Sequence, residues 1–358
     1  MGNESLIIKG VGMVSSLGVT ALQTLSSMDS GISRKSLMPG LYYTLPEDPR
    51  FDERFELIAA PLGFLESRRD DFPEPSRWLS FVGEKAFADL IENSGMDDEQ
   101  DQKTGLFVSL PAMLTKETAN EKDAFINHFH NLIEKDIFPV EDYCFEGHTG
   151  VFTLMGKARD ALYKGEISRA IVGGVQSCLF TDWLVKLDKD YQLKSRRAMD
   201  GYIPGEVAAF LWLEKAGKTD KKEGASFTID AIRLSQNSIK NQAPASAMTH
   251  VVSGCLSHAA TPPVIFGDLN GQSKRMDEWG FTLARMGERL GNPPVLRHPA
   301  DSLGDMGAAS GAVLITIAIH ELQKKYKNHD NALIFTASDH DERAAVLIGR
   351  QKLLTRKL

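Results

Sequence analysis

The segment from residue 307 to residue 319 constrains the fold more than any other part of the chain. It reads Gly-Ala-Ala-Ser-Gly-Ala-Val-Leu-Ile-Thr-Ile-Ala-Ile, which is a candidate helix that is apolar on nearly all sides. A surface helix keeps a polar face towards water, so this helix is expected to lie between two other layers. Its glycines and alanines permit close packing. The sequence therefore predicts a layered protein built around a buried helix.

Short apolar strands alternate with helices along the rest of the chain, which is typical of α/β layering. Strands are predicted at 6–8, 105–110, 170–176, 207–213, 227–234 and 264–266, and helices at 75–92, 117–135 and 154–164. Residues 332–336 and 344–348 are predicted to pair as antiparallel strands across the polar turn 338–343, which is interpreted as surface. Residues 29–75 are interpreted as a long surface excursion that carries little core.

The predicted elements follow a similar order twice. The fold class is therefore α/β with two similar halves, and the boundaries are placed at 1–216 and 217–358. The lysine-rich stretch 215–222 lies at the junction and is interpreted as a solvated linker.

Composition excludes several classes of protein. Across 358 residues, 41 basic and 48 acidic side chains give a formal net charge of −7, which argues against a nucleic-acid partner, since such a surface is basic. No apolar run reaches membrane-spanning length. Cys144, Cys178 and Cys255 include no Cys-x-x-Cys pair, so neither a disulfide framework nor a zinc ribbon is indicated. We expect a cytoplasmic protein with no cofactor and no metal.

Four segments occur in an order and spacing that together are informative. They are Gly10-Val-Gly-Met-Val-Ser-Ser-Leu-Gly18; the stretch from Gly147 to Cys178, with Lys164-Gly-Glu166 and Gly173-Gly174; Met199-Asp-Gly-Tyr-Ile-Pro-Gly-Glu206; and Ser302-Leu-Gly-Asp-Met-Gly-Ala-Ala-Ser-Gly311. In this combination the chain resembles the β-ketoacyl-acyl carrier protein synthase family of the thiolase fold, as a divergent and reduced member.

The resemblance implies a five-layered αβαβα fold made of two similar halves, with a homodimer or heterodimer formed mainly by residues 1–216. It also implies a Cys-His-His triad for decarboxylative condensation. That reaction needs a thiolate nucleophile at a strand-to-helix turn, together with two donors that stabilise the enolate.

The nucleophile position of the family falls on His148 when residues are counted back from Lys164-Gly-Glu166 along an ungapped helix. If the turn carries an insertion, Cys144 takes this position instead, because Cys144-Phe-Glu-Gly147 is similar to the family's Cys-x-x-Gly. Cys144 is otherwise read as a small buried hydrophobic residue. Both alternatives stay open at this point.

The two histidine positions of the family also hold other residues. The first matches Asn270, within Gly267-Asp-Leu-Asn-Gly-Gln-Ser273. The second matches Asp305, directly after Gly304, or Gly304 itself if a gap is placed one residue away, and neither option restores the donor. An amide donates a hydrogen bond without a positive charge, and a carboxylate would repel a developing enolate. The Cys-His-His triad is therefore interpreted as degenerate.

Three functions are compatible with this pattern. The leading hypothesis is a β-ketoacyl-synthase-like pseudoenzyme, a non-condensing partner or scaffold similar to a chain-length factor in fatty-acid-type or polyketide metabolism. It would pair with a synthase-fold partner and contact acyl carrier protein or acyl-CoA. The second is an acyltransferase or thioesterase that uses Cys144 or His148 with Asp268, Asn270 or Asp305 nearby. The third is an adaptor of a secretion or secondary-metabolite gene cluster.

Overall fold

The computed structural model describes residues 4–43, 55–95, 103–114, 120–133, 138–195, 198–217, 226–236, 245–324 and 329–351. The strands are β1 (Leu6–Ser15), β2 (Ser36–Tyr43), β3 (Phe55–Ala59), β4 (Thr104–Ser109), β5 (Glu141–Cys144), β6 (Arg169–Gln176), β7 (Val207–Lys215), β8 (Ser226–Gln236), β9 (Val264–Gly267), β10 (Val295–Arg297), β11 (Asn331–Ala337) and β12 (Glu342–Gln351). The α-helices are α1 (Ala21–Asp29), α2 (Pro75–Ser94), α3 (Asn120–Leu132), α4 (Gly150–Lys164), α5 (Thr181–Lys189), α6 (Ser246–Leu256), α7 (Ser273–Met286), α8 (Ala300–Leu303) and α9 (Ser310–Gln323). Short 3-10 turns cover Gly63–Asp71, Gly147–Thr149, Gly287–Leu290 and Gly307–Ala309.

Ten strands form one mixed sheet in the order β10-β9-β11-β12-β8-β1-β7-β6-β4-β5. Counted along the chain, the five sheet strands up to β7 lie in the order 3-2-4-5-1 from the β5 edge inwards, and the five strands from β8 onwards repeat that order from the β10 edge. In each set the fifth strand is antiparallel to both of its neighbours. The sheet therefore consists of two topologically equivalent parts, as the predicted fold requires.

Helices α4 and α9 lie between these two parts of the sheet. Side chains of both helices share one hydrophobic core with inward-facing residues of β6, β7, β11 and β12. Every residue from Ser310 to Ile319 is buried, which confirms that this helix is covered on all sides. A Cβ added to Gly311 would lie 2.8 Å from Val151 Cβ on α4, so the two central helices pack closely at this glycine.

The outer faces of the sheet are covered by two further helical layers. On one side α2 and α3 place Phe87 and Phe129 against Phe210 of β7, with ring centroids 6.1 and 6.0 Å from that ring. On the other side α6 and α7 pack on the sheet, and Trp279 stacks on Phe335 at 4.2 Å. The order helix, sheet, helix, sheet, helix confirms the predicted five-layered αβαβα architecture.

Residues 29–75 contribute more to the hydrophobic core than the sequence predicted. The hairpin β2–β3 and the residues after it supply Leu57, Ala59 and Leu62, which are nearly or fully buried. Residues 44–54 of this stretch lie outside the described part of the chain, as do 117–119 and 134–135 of the predicted helix around α3 and residues 218–222 of the predicted linker. The boundary between 216 and 217 stays a prediction.

Two motif glycines allow three of the four motif segments to meet at the centre of the molecule. A Cβ on Gly174 at the end of β6 would lie 2.2 Å from the Ala308 carbonyl oxygen, and a Cβ on Gly205 would lie 2.3 Å from the Leu303 carbonyl oxygen. No larger residue fits such approaches. The second and third motifs therefore both touch the fourth, and this contact carries Asp305 into the interior.

Glu206 follows Gly205 and is fully buried. Its carboxylate accepts hydrogen bonds from the Leu62 amide at 3.0 Å, Arg69 Nη2 at 2.8 Å, Trp78 Nε1 at 2.9 Å and Ser177 Oγ at 2.5 Å. Because three donors from residues 62–78 and one from Ser177 converge on this carboxylate, Glu206 fixes the segment around residues 62–78 to the end of β6.

Within the described ranges, no helix combines the length and apolar character that crossing a membrane requires.

Candidate functional site

His148 lies on the 3-10 turn between the end of β5 and the start of α4. Gly147 precedes it with φ of +61°, a left-handed conformation that glycine adopts without strain. The imidazole is 5% exposed. The strand-to-helix turn of the predicted nucleophile position is therefore present, and the side chain at it is buried.

Both ring nitrogens of His148 are engaged. Nε2 lies 2.9 Å from Asp305 Oδ1, and Nδ1 lies 3.2 Å from Arg275 Nη2. A guanidinium has only donors, so Nδ1 must be the acceptor of that contact and Nε2 must carry the hydrogen that it donates to Asp305. Burial and Arg275 disfavour the imidazolium form, but Asp305 and Asp268 outweigh them and raise the pKa of His148. Neither the neutral imidazole in this arrangement nor the imidazolium has a free lone pair.

Asp305 accepts a second hydrogen bond on the same oxygen. Asn270 Nδ2 donates to Oδ1 over 2.7 Å. Burial alone would raise the pKa of Asp305, but its interaction with His148, the charge of Arg275 and the hydrogen bond from Asn270 outweigh burial and lower the pKa to about 2. Asp305 is therefore a buried carboxylate that is ionised at neutral pH.

Asp268 lies at the end of β9 and is joined to the same cluster by Arg275. Its Oδ2 accepts from Arg275 Nη1 and from the Ala337 amide, both at 2.9 Å. Its Oδ1 is buried and has no hydrogen-bond partner. Burial raises the pKa of Asp268, and the nearby Arg275 guanidinium opposes that increase. Arg275 thus contacts both the Asp268 carboxylate and the His148 imidazole.

Arg275 was not identified from the sequence. It lies in the first turn of α7, is 6% exposed, and also donates to the Ala337 carbonyl and to Asp339 Oδ1, the latter over 2.8 Å. The turn 338–343 was predicted to be surface, and Asp339 shows that this was only partly right, since it is half exposed and still reaches Arg275. The only sequence signal for Arg275 was its position soon after β9.

Cys144 does not belong to this cluster. It lies at the end of β5, opposite Ser109 of β4, and a Cβ built on Gly150 would be 3.3 Å from its sulfur. Within the described part of the chain, no hydrogen bond connects it to the cluster around His148. Burial is the largest influence on its thiol and raises the pKa to about 12. The structure therefore brings together His148, Asn270, Asp305 and Asp268, and leaves Cys144 apart.

Cys178, just after β6, is the thiol whose electrostatic neighbours include Asp305 and Glu206. It is 4% exposed, and burial followed by these two carboxylates raises its pKa. Such a thiol is protonated at neutral pH. Among the residues in the described ranges, no group of three or more His, Cys, Asp or Glu side chains is placed to hold a metal ion.

The chain matches known proteins in structure but not in sequence. No protein-family model matches the chain, and no curated protein matches it by sequence. One similar structure is the AntDE:AntF complex, described as a type II PKS acyl-carrier protein in complex with its ketosynthase bound to the hexaketide. A chain of this complex has a TM-score of 0.74 at 13% identity, and the match covers 98% of this chain and 100% of that one. The chain therefore has the ketosynthase fold.

Two further solved structures are similar to this chain in fold. The ishigamide ketosynthase/chain length factor is similar with a TM-score of 0.71 at 13% identity, covering 97% of this chain and 100% of that one. The oxazolomycin ketosynthase domain OzmH KS7 of Streptomyces albus JA3453 has a TM-score of 0.75 at 14% identity, covering 98% of this chain and 75% of that one. These similarities show the thiolase-like fold that the sequence motifs predicted.

Proposed function

We propose that this chain is a ketosynthase-fold subunit that does not catalyse decarboxylative condensation and acts as the partner of a synthase-fold protein in acyl or polyketide metabolism. One observation carries the proposal. The strand-to-helix turn that would present a thiolate holds His148, and the imidazole is held between Asp305 and Arg275 at 2.9 and 3.2 Å.

The same cluster opposes the chemistry of condensation. Condensation develops negative charge on an enolate, and that charge must be stabilised by donors aimed at it. Here Asp305 contributes an ionised carboxylate, and the Asn270 amide already donates to it at 2.7 Å. The residues at the two expected donor positions therefore pair with each other, and no cationic donor at either position faces a substrate oxygen.

The second hypothesis, an acyltransferase or thioesterase, lacks a suitable nucleophile in this geometry. With a pKa of about 12 for Cys144, the thiolate fraction at pH 7 is about 10⁻⁵. The Nδ1 lone pair of His148 accepts from Arg275, and Nε2 carries a hydrogen. Neither residue offers an electron pair to a thioester carbonyl, so the hypothesis of a non-condensing partner is favoured.

Support for a synthase-fold partner comes from the solved structures and from the sheet. One similar structure is described as a ketosynthase/chain length factor and another as a ketosynthase with its acyl-carrier protein. Strand β5 lies at one end of the sheet, and no described strand pairs with its outer edge. An open edge can pair with a second chain. We infer a homodimer or a heterodimer that forms through the β5 edge of the sheet, with an acyl carrier protein as a further partner.

The covalent test is intact-protein mass spectrometry after incubation with acyl and malonyl thioesters of coenzyme A and of acyl carrier protein. Wild type, Cys144→Ala and His148→Ala are compared, with a condensing ketosynthase as the positive control. We expect no adduct on this chain. An acyl adduct that disappears in only one of the two variants would identify a nucleophile and overturn the proposal.

The partner test is co-expression with a synthase-fold protein encoded near this chain, followed by size-exclusion chromatography and hydrogen exchange. We expect a stable complex in which the amides of residues 141–144 are protected relative to the free chain. A complex that forms only with a protein of a different fold, such as a secretion component, would support the adaptor hypothesis and contradict the synthase partner.

A further inference from the structure

A cleft of about 510 Å³ lies between α1 and the C-terminal part of the sheet, and none of the residues of the His148 cluster lines it. Pockets that bind small molecules have volumes of about 300–1,000 Å³. The neighbouring elements are α1 on one side and β9, β10, α8 and the end of α9 on the other. The cleft is therefore separate from the site of the proposed function and large enough for a ligand of its own.

One part of the cleft wall is apolar. Leu25 and Met28 of α1 contribute to it, together with Phe266, Leu296 and Ile317. These side chains come from four different elements, so a ligand there would contact both the first helix and the C-terminal sheet. A wall of this kind favours the aliphatic part of a ligand.

Most of the remaining wall residues are charged, and their carboxylates are already paired. Asp29 accepts from His320 Nε2 at 2.8 Å and from Lys324 Nζ at 2.5 Å. Lys324 is also 3.2 Å from Glu321, and His298 Nε2 is 2.9 Å from Asp301. A cationic ligand would have to displace one of these partners.

Arg297 is the exception among the charged residues of the wall. It is exposed, and it forms no ion pair with any residue in the described ranges; its guanidinium makes one long contact of 3.4 Å to the carbonyl of Leu296. A guanidinium presents its donors in a planar arrangement that matches a carboxylate. The position of Arg297 beside the apolar wall defines the chemistry that the cleft would accept.

We propose that this cleft binds an amphipathic anion, with its carboxylate on Arg297 and its aliphatic chain against Leu25, Met28 and Leu296. The site is independent of the non-condensing partner role and goes beyond it. Binding there would bridge α1 to β10 and so connect the first helix to the C-terminal part of the sheet.

The test uses hexanoate and octanoate as probes, with octylamine as the charge control, and follows methyl NMR signals of the full-length protein. Octanoate is expected to shift the methyl resonances of Met28, Leu296 and Ile317 and to leave that of Met199, outside the cleft, unchanged. Because two further methylenes are buried, octanoate should bind up to about 15-fold more tightly than hexanoate.

Arg297→Gln should weaken octanoate binding by about tenfold or more, since a charge-assisted hydrogen bond is lost. Arg289→Gln is the matched control, because Arg289 is exposed, contacts Ser253 and lies outside the cleft. Equal affinity of Arg297→Gln and wild type for octanoate, equal binding of octylamine, or no shift at the three cleft methyls would each overturn the proposal.

Discussion

His148 Nε2 donates a hydrogen bond to Asp305 Oδ1 over 2.9 Å. This contact joins residues 157 positions apart in the chain, one at the turn where a nucleophile was expected and one where a histidine was expected. In the family that the sequence resembles, both positions serve the substrate. Here each is the other's hydrogen-bond partner, and this contact supports the proposal of a non-condensing subunit.

Asp305→Asn should change how the stability of the protein depends on pH. The folded-state pKa of Asp305 is about 2, below the ordinary value of 3.8, so its ionisation contributes stability above pH 4 that is lost as the pH falls towards 2. The contribution is about 2 kcal/mol. Urea unfolding of wild type and Asp305→Asn between pH 7 and pH 3 should give curves whose separation is constant down to about pH 4 and narrows below it.

The control for this experiment is Asp301→Asn, four residues earlier and largely exposed. Its curve should run parallel to that of the wild type over the same range. If the Asp305→Asn curve also ran parallel, Asp305 would not be the stabilising carboxylate that its contacts indicate.

Arg275→Met should be strongly destabilising. The substitution leaves the Asp268 carboxylate buried with only the Ala337 amide as a donor, while Asp268 Oδ1 already has no partner. Removing one member of a buried ion pair costs about 3–5 kcal/mol. Lys274→Met, the exposed neighbour on the same helix, is the matched control and should change the free energy of unfolding by less than about 0.5 kcal/mol.

A double-mutant cycle separates lost charge from lost packing. Asp268→Asn combined with Arg275→Met should recover part of the stability, because the uncompensated buried charge is then removed. Additive effects of the two substitutions would show that the ion pair contributes little beyond the volume of its side chains.

The fold could be predicted from the sequence because its signals are local. A helix apolar on all sides, such as α9, has to be central, and glycines such as Gly174 mark places where no Cβ fits. A Cβ on Gly174 would lie only 2.2 Å from the Ala308 carbonyl oxygen, which is why this position requires glycine. Each such residue constrains its own surroundings, so a pattern of them in the right order predicts the layers.

The candidate site was predicted only in part, because its closing contacts are distant in sequence. His148, Asn270 and Asp305 follow turns that the motifs mark, so alignment to the family could identify them. Arg275 lies on an ordinary amphipathic helix, and nothing in its neighbourhood shows that the guanidinium turns inwards to His148 at 3.2 Å. Cys144 was close in sequence to the turn, but its position opposite Ser109 keeps it away from the cluster.

Glu206→Gln should destabilise the protein without affecting the His148 cluster. The carboxylate of Glu206 accepts hydrogen bonds from Leu62, Arg69, Trp78 and Ser177. A glutamine would place its NH2 group, which only donates, against some of these donor groups. The expected loss is about 3–5 kcal/mol. Urea unfolding measures it, and Glu66→Gln, an exposed partner of Arg69, should remain within about 0.5 kcal/mol of wild type.

The cysteines should be almost unreactive in the native protein. Cys144 and Cys255 are buried, and burial raises the pKa of each thiol to about 12. At pH 8 their alkylation by iodoacetamide should be about a thousandfold slower than in urea, because the thiolate is the reactive form. Peptide mass spectrometry measures the rate at each site. Rapid modification of native Cys144 would restore the hypothesis of a cysteine nucleophile.

His148→Cys tests whether the cluster itself prevents a thiolate from forming at the nucleophile position. The introduced thiol would lie near the ionised Asp305. A neighbouring negative charge disfavours the thiolate and so raises the pKa of the thiol. Adding Asp305→Asn should therefore shift the midpoint of the alkylation pH profile at this position about one pH unit lower. The profile is measured by iodoacetamide labelling with peptide mass spectrometry, and His148→Cys with Asp301→Asn is the control. A midpoint that Asp305→Asn leaves unchanged would mean that the Asp305 charge does not act at position 148. The proposed inability to condense would then have to rest on the missing thiol alone.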